Sequence, residues 1–256
     1  MVFEWFREQL DINFPDKPIS DYSYFIANQD FKKICSTLSA FGTGITKYSI
    51  VETSPEKTSK DLPRKLVDEI LRKLTNKQVA EEHNGKKPTI VLRGGKSFYI
   101  FEIDNDGNIA CKTIQFNQGN NQIFFDLSEE SDGTNRLLDL LTILFEKRSG
   151  RVYVIDEIDR CLHPQLTYKL ISEYLKASVK KEIQLIVTTH ESRLLDFNLL
   201  RKDEIWFIDK KSSGSSYIYS LDEYNERFDK KIDRAYLEGR YGGVPLFSTI
   251  FPVEEV

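Results

Sequence analysis

The run Val152-Tyr153-Val154-Ile155-Asp156-Glu157 constrains the fold of this chain more than any other segment. Four consecutive apolar residues leave no polar face for solvent. The segment therefore reads as a strand covered on both sides, the pattern of a parallel sheet. It then delivers two carboxylates at its C-terminal edge, and in open α/β sheets that edge is where ligands bind. One carboxylate can hold Mg²⁺, directly or through water, while its neighbour orients and deprotonates an attacking water. The plainer alternative is an exposed strand end with two solvated acids.

Residues 128–209 alternate helix and apolar strand. A helix follows Gly133, carried by Leu137, Leu138, Leu140, Leu141, Leu144 and Phe145, and another follows Pro164. Apolar strands recur at Leu185–Val187 and Ile205–Ile208, and all three strands are expected in one parallel sheet with flanking helices. Residues 88–127 change to a period of two. They read as four short antiparallel strands, with turns at Gly94-Gly95 and Asp106-Gly107. Residues 1–87 read as mostly helical: Phe3, Phe6 and Leu10 fall at helical spacing, and Leu66, Val67, Ile70, Leu71 and Leu74 form one stripe behind Pro63. The sequence thus predicts an α/β chain in three parts: a helical, lid-like segment over 1–87, an antiparallel β meander over 88–127, and an α/β core with a C-terminal tail over 128–256.

Composition removes several classes. The 256 residues carry 36 Lys+Arg against 40 Asp+Glu, a net charge of −4, which argues against nucleic-acid binding by massed positive charge. No apolar run approaches the roughly 20 residues of a membrane span, and the first residues lack the apolar stretch of a signal peptide. Cys35, Cys111 and Cys161 are isolated and show no CxxC spacing. That excludes a disulfide framework and a structural zinc site, and places the protein in the cytoplasm.

Further segments gather around the acidic strand end. Ser131-Asp132-Gly133-Thr134 stands immediately before a helix, where a hydroxyl, a glycine and free backbone N–H groups can receive an anion. The bland alternative is that Ser131 or Asp132 simply caps the helix. His190 ends the strand that begins at Leu185, so it would face the same crevice as Asp156 and Glu157. A structural histidine is the competing reading there. Between them, Leu162-His163-Pro164 turns the chain into the next helix.

In this order the pieces resemble the second half of an ABC-type ATPase head of the SMC, DNA-repair and OLD-like kind, which has a P-loop NTPase-like fold. The resemblance is closest to bacterial AAA-like ATPases with an ABC-type core, often found in phage-defence systems. Their sequences carry similar Asp-Glu-Ile-Asp-Arg, Leu-His-Pro and Thr-Thr-His-Glu segments and often a C-terminal Gly-Arg-Tyr-Gly stretch, here at 239–242. The resemblance implies ATP and Mg²⁺ as cofactors, with Asp156 on the metal, Glu157 as the catalytic glutamate and His190 as the switch histidine. It makes Ser131, Asp132, Gly133 and Thr134 a signature motif acting in trans, and puts Leu162 and His163 in the D-loop. His163 departs from transporter-type heads, which usually have aspartate there. The implied partner is a second copy or a half or chain bearing Walker A; an effector nuclease is a further candidate.

A site of this class needs a P-loop, G-x-x-x-x-G-K-[ST], whose backbone cradles the phosphates. Gly95-Lys96-Ser97 is the one Gly-Lys-Ser or Gly-Lys-Thr triplet in the sequence, and Ile90 stands where the first glycine belongs. Its glycines turn one strand into another rather than a strand into a helix. The chain therefore reads as the C-terminal portion of an ATPase, catalytically incomplete by itself. Two other classes compete: a non-catalytic interaction module derived from such a head, and a Toprim-like metal-dependent nuclease. The nuclease would use Asp156, Glu157 and Asp159 with a separate glutamate, for which Glu102 is the candidate.

Overall fold

The computed structural model describes residues 2–15, 31–53, 58, 62–75, 89–94, 96–104, 106–119, 122–179, 181–224 and 232–245. They fall into two compact units, Met1–Thr189 and His190–Val256. Among the described residues no helix is long and apolar enough to cross a membrane.

The first unit is mixed α/β, with a parallel and an antiparallel sheet, consistent with a P-loop NTPase-like AAA fold. The parallel sheet has the order β1 (Leu10–Asn13), β7 (Val152–Ile155), β8 (Gln184–Val187). In register, Leu10 lies opposite Val152 and Ile155 opposite Val187. Tyr153 and Ile155 of the central strand are fully buried. Two helices belong with this sheet, α4 (Asp132–Phe145) and α5 (Pro164–Ser178), and they pack on each other. Leu137, Leu138, Leu140 and Leu141 of α4 are buried, as are Leu170 and Ile171 of α5. Pro164 starts α5 because its fixed φ and missing N–H suit the first helical turn.

The antiparallel sheet runs β2 (Ile45–Glu52), β5 (Ile109–Gln118), β4 (Ser97–Ile103), β3 (Thr89–Gly94). A short strand, β6 (Phe124–Asp126), pairs with the second half of β5. Gly94 pairs with Ser97 at the β3–β4 turn. Gly95 lies outside the described residues, as does Pro18. One face is covered by α3 (Arg64–Thr75), whose Ile70 and Leu74 pack with Tyr99 and Phe101. Helix α2 (Phe31–Ala40) packs on β2.

Two expectations need correcting. The described part of residues 1–87, read as mostly helical, also holds two strands: α1 covers only Val2–Glu8, Leu10 belongs to β1, and β2 joins the antiparallel sheet. The short run Leu10–Asn13 carries too little periodicity to announce a strand. The apolar segment near 205–208 also leaves the parallel sheet. As β9 (Trp206–Lys210) it pairs antiparallel with β10 (Ser216–Ser220) in a two-stranded sheet of the second unit. Phe207 is buried while Trp206 and Ile208 are exposed, so the apolar run is covered on one side only.

In that second unit Ile205, Phe207, Leu221, Ile232 and Tyr241 form the core, with Ile232 on α6 (Ile232–Leu237). The glycine-rich tail is part of it. Tyr224 Oη donates to the Tyr241 carbonyl at 3.3 Å, and Tyr236 Oη to that of Gly243 at 3.0 Å. Gly242, at φ +69°, lies so close to Tyr219 that a Cβ would meet its hydroxyl at 2.5 Å.

Candidate functional site

Strand β7 stops at Ile155 and the chain enters a tight turn over Asp156–Leu162. Glu157 and Cys161 take left-handed backbone conformations, φ 47° and 62°, which a non-glycine residue holds only when its surroundings over-determine it. Those surroundings come from three directions. From β1, the Asn13 carbonyl accepts the Asp156 N–H at 2.9 Å. From the segment after β8, Thr188 Oγ1 accepts the Glu157 N–H at 2.8 Å and donates to the Asp156 carboxylate. The Thr188 carbonyl takes the Ile158 N–H at 3.1 Å, and Thr189 Oγ1 donates to Asp159 Oδ1 at 2.7 Å.

The third direction is α4. Arg136, only 7% exposed, donates from Nη1 to Asn13 Oδ1 at 2.8 Å. Its Nη2 reaches the carbonyls of Glu157 at 3.2 Å and Asp156 at 3.4 Å. Nearer the helix start, a Cβ on Gly133 would lie 2.8 Å from the Cys161 carbonyl, so only glycine lets the helix approach the turn this closely. Head of helix and acidic turn therefore touch backbone to backbone.

The structure brings Asp156, Glu157, Gly133, Leu162 and His163 into this one neighbourhood. Leu162 closes the turn, its N–H donating to the Asp159 carbonyl at 2.9 Å. His163 caps α5: its Nδ1 accepts the Gln165 N–H at 3.2 Å. Ser131 caps α4 by accepting the Thr134 N–H at 3.1 Å, and the two hydroxyls are 2.9 Å apart. Asp132 pairs with Lys96 at 2.6 Å, and that hydrogen bond lowers the Asp132 pKa. His190 is the first residue of the second unit, directly after the Thr188-Thr189 pair that braces the acids. Glu102 sits in the antiparallel sheet, ion-paired to Lys112. Among the described residues no three His, Cys, Asp or Glu side chains are grouped to hold a metal by themselves.

Sequence reasoning missed Arg136, Asn13, Thr188 and Thr189. The two threonines were legible in principle, since they join a parallel strand to a histidine already singled out. Arg136 was not: among the leucines of α4 it looks like part of a solvent face.

The sequence matches the family model described as "AAA domain, putative AbiEii toxin, Type IV TA system" over residues 46–196. The match takes in more than half of the chain. The chain belongs to this AAA-domain family. The matched span includes the antiparallel sheet except Ile45, together with α4, β7, α5 and β8, and therefore the whole acidic turn, whereas β1 lies outside it. An AAA domain uses nucleotide in general, and the description places the family in a toxin–antitoxin setting. No curated protein matches the chain.

Proposed function

We propose that this AAA domain supplies the Walker B, signature and switch elements of an ABC-type ATPase head, and that the P-loop reaches them from a separate segment or chain. The observation that carries the reading is the Asp156-Glu157 turn at the C-terminal edge of a parallel sheet, braced from β1, α4 and the end of β8 at once. A pair of carboxylates held this way fits the metal-and-water side of a nucleotide site. Mg²⁺ in such sites is held by one or two carboxylates and completed by substrate phosphates and water. The residues do not fit the phosphate-cradling side: the sequence has no G-x-x-x-x-G-K-[ST], and Lys96 of its one Gly-Lys-Ser triplet is engaged by Asp132.

In this reading Asp156 holds the metal, with the Thr188 hydroxyl fixing one of its oxygens. Glu157 orients the attacking water and takes its proton. His190 contacts the γ-phosphate, and Ser131 with Gly133 serves a nucleotide held by the opposite protomer. The biological setting we favour is a toxin–antitoxin or phage-defence system in the cytoplasm. The nuclease alternative loses ground because its separate glutamate, Glu102, is tied to Lys112 in the other sheet.

The test has two stages. Calorimetry with Mg-ATP on the chain alone should show no low-micromolar binding and negligible turnover. With a P-loop-bearing chain restored, turnover and ATP-dependent pairing should both appear. Ser131→Arg should then abolish the pairing on size-exclusion chromatography while nucleotide binding to each open head persists. Low-micromolar Mg-ATP binding by the chain alone, or pairing undisturbed by Ser131→Arg, overturns the assignment.

A further inference from the structure

The buried guanidinium of Arg136 has a placement that helix packing does not require. Its Nη1 reaches Asn13, a residue 123 positions earlier, and its Nη2 reaches two successive carbonyls of the acidic turn. Asn13 is itself 2% exposed. Among the described residues the Nε has no hydrogen-bond partner, so the three bonds from the two Nη groups are the ones that fix the side chain. Burial lowers the Arg136 pKa, partly offset by the charge of Asp139. A guanidinium remains charged in such surroundings, whereas an ammonium would be a single point that cannot span the same three acceptors.

The two carbonyls belong to Asp156 and Glu157, and Glu157 is one of the turn's two left-handed non-glycine residues. Three residues before Arg136, Gly133 rests on the carbonyl of Cys161, the other one. The first five residues of α4 thus hold both left-handed points of the turn, one by a glycine contact and one by a charged fork.

We infer that Arg136 is a positioning residue: it couples the start of α4 to the conformation of the acidic turn, so that a shift of the Ser131–Thr134 segment moves the backbone of Asp156 and Glu157. This rests on the reading of that turn as the metal- and water-handling pair, but the coupling itself needs no nucleotide to be seen.

The experiment is residue-resolved amide hydrogen exchange on the full chain. Arg160 and Leu162 donate backbone hydrogen bonds within the turn, Ile158 donates from it to the Thr188 carbonyl, and all three report on it. Arg136→Lys keeps the charge and removes the fork; protection at these three amides should fall about tenfold or more. Amides of β4 should keep theirs. Ser131→Ala, which removes the cap at the helix head, should also loosen the turn in the parent chain and add little in the Arg136→Lys background, because coupled sites are non-additive. Asn13→Ser gives an independent route to the same loosening should the Arg136 variant fold poorly. Unchanged protection at the turn overturns the inference, as does a loss spread evenly over both sheets or strict additivity of Ser131→Ala and Arg136→Lys. None of these results depends on ATP, so failure here is separable from failure of the ATPase reading.

Discussion

On β4 of the antiparallel sheet, Phe98, Tyr99, Ile100 and Phe101 are successive residues and all are buried, so both faces of that strand meet apolar side chains. The parallel sheet is assembled differently. Its central strand β7 is four residues long, and a buried arginine stands at each end. At the N-terminal end Arg151 binds the Glu8 carbonyl and Asp11, with its Nε 3.7 Å from Glu146. At the C-terminal end Arg136 binds Asn13 and the acidic turn. One sheet is held mainly by area removed from water, which is non-directional and tolerant of small shifts. The other is fixed by charge-assisted hydrogen bonds, which demand particular angles and distances. The difference teaches where each kind of contact is used: directional contacts stand at both ends of the central parallel strand, the acidic turn among them, and apolar packing runs through the antiparallel sheet.

Four measurements would break or sharpen that contrast. The largest effect is expected at the acidic turn. With a P-loop-bearing chain restored, Glu157→Gln should reduce ATP hydrolysis about 10²–10⁴-fold, the usual contribution of a positioned general base. Binding of ATP should survive, and the nucleotide-bound pair should accumulate; a steady-state phosphate-release assay with chromatography checks both. Phe101→Ala, in the other sheet, should destabilise the fold by about 3–5 kcal/mol through lost burial and a residual cavity. Urea denaturation measures it, and the turn amides should keep their exchange pattern below the transition.

The third measurement is pH. Burial alone would raise the Glu146 pKa, but hydrogen bonds from Arg148 and Tyr153 outweigh it and hold the carboxyl at about 2 rather than the ordinary 4.5. A depressed carboxylate pKa means the unfolded chain binds the extra proton first. The stabilisation is therefore complete above about pH 4.5 and disappears as pH falls toward 2. It amounts to about 3 kcal/mol, and denaturation between pH 6 and 3 should show the larger part of that loss in the parent and much less of it in Glu146→Gln. The smallest effect belongs to Ser131→Ala, which removes the α4 cap and should cost about 1 kcal/mol in thermal or urea unfolding.

Much of this protein was legible in its sequence because short-range physics decides it. The strand Val152–Ile155, the caps at Ser131 and ahead of Pro164, and the pairing of β3 with β4 across Gly94 follow from apolar runs, local hydrogen bonding and turn chemistry. The acidic pair at the strand end was legible for the same reason. The sequence by itself did not determine which strands share a sheet. A four-residue segment such as Leu10–Asn13 has no pattern strong enough to choose its neighbour, and its place beside β7 is set by residues some 140 positions away, as the Arg151–Asp11 pair illustrates. Nor did it determine that Ile205–Ile208 would leave the parallel sheet, since a continuous apolar run looks the same whether one face or two are covered. Least legible was the burial of Asn135, Arg136 and Asp139 on α4. Polar residues beside a leucine stripe point to solvent by every local rule, and only partners brought from distant segments can make their burial favourable. Tertiary structure supplied those partners, and with them the geometry of the acidic turn.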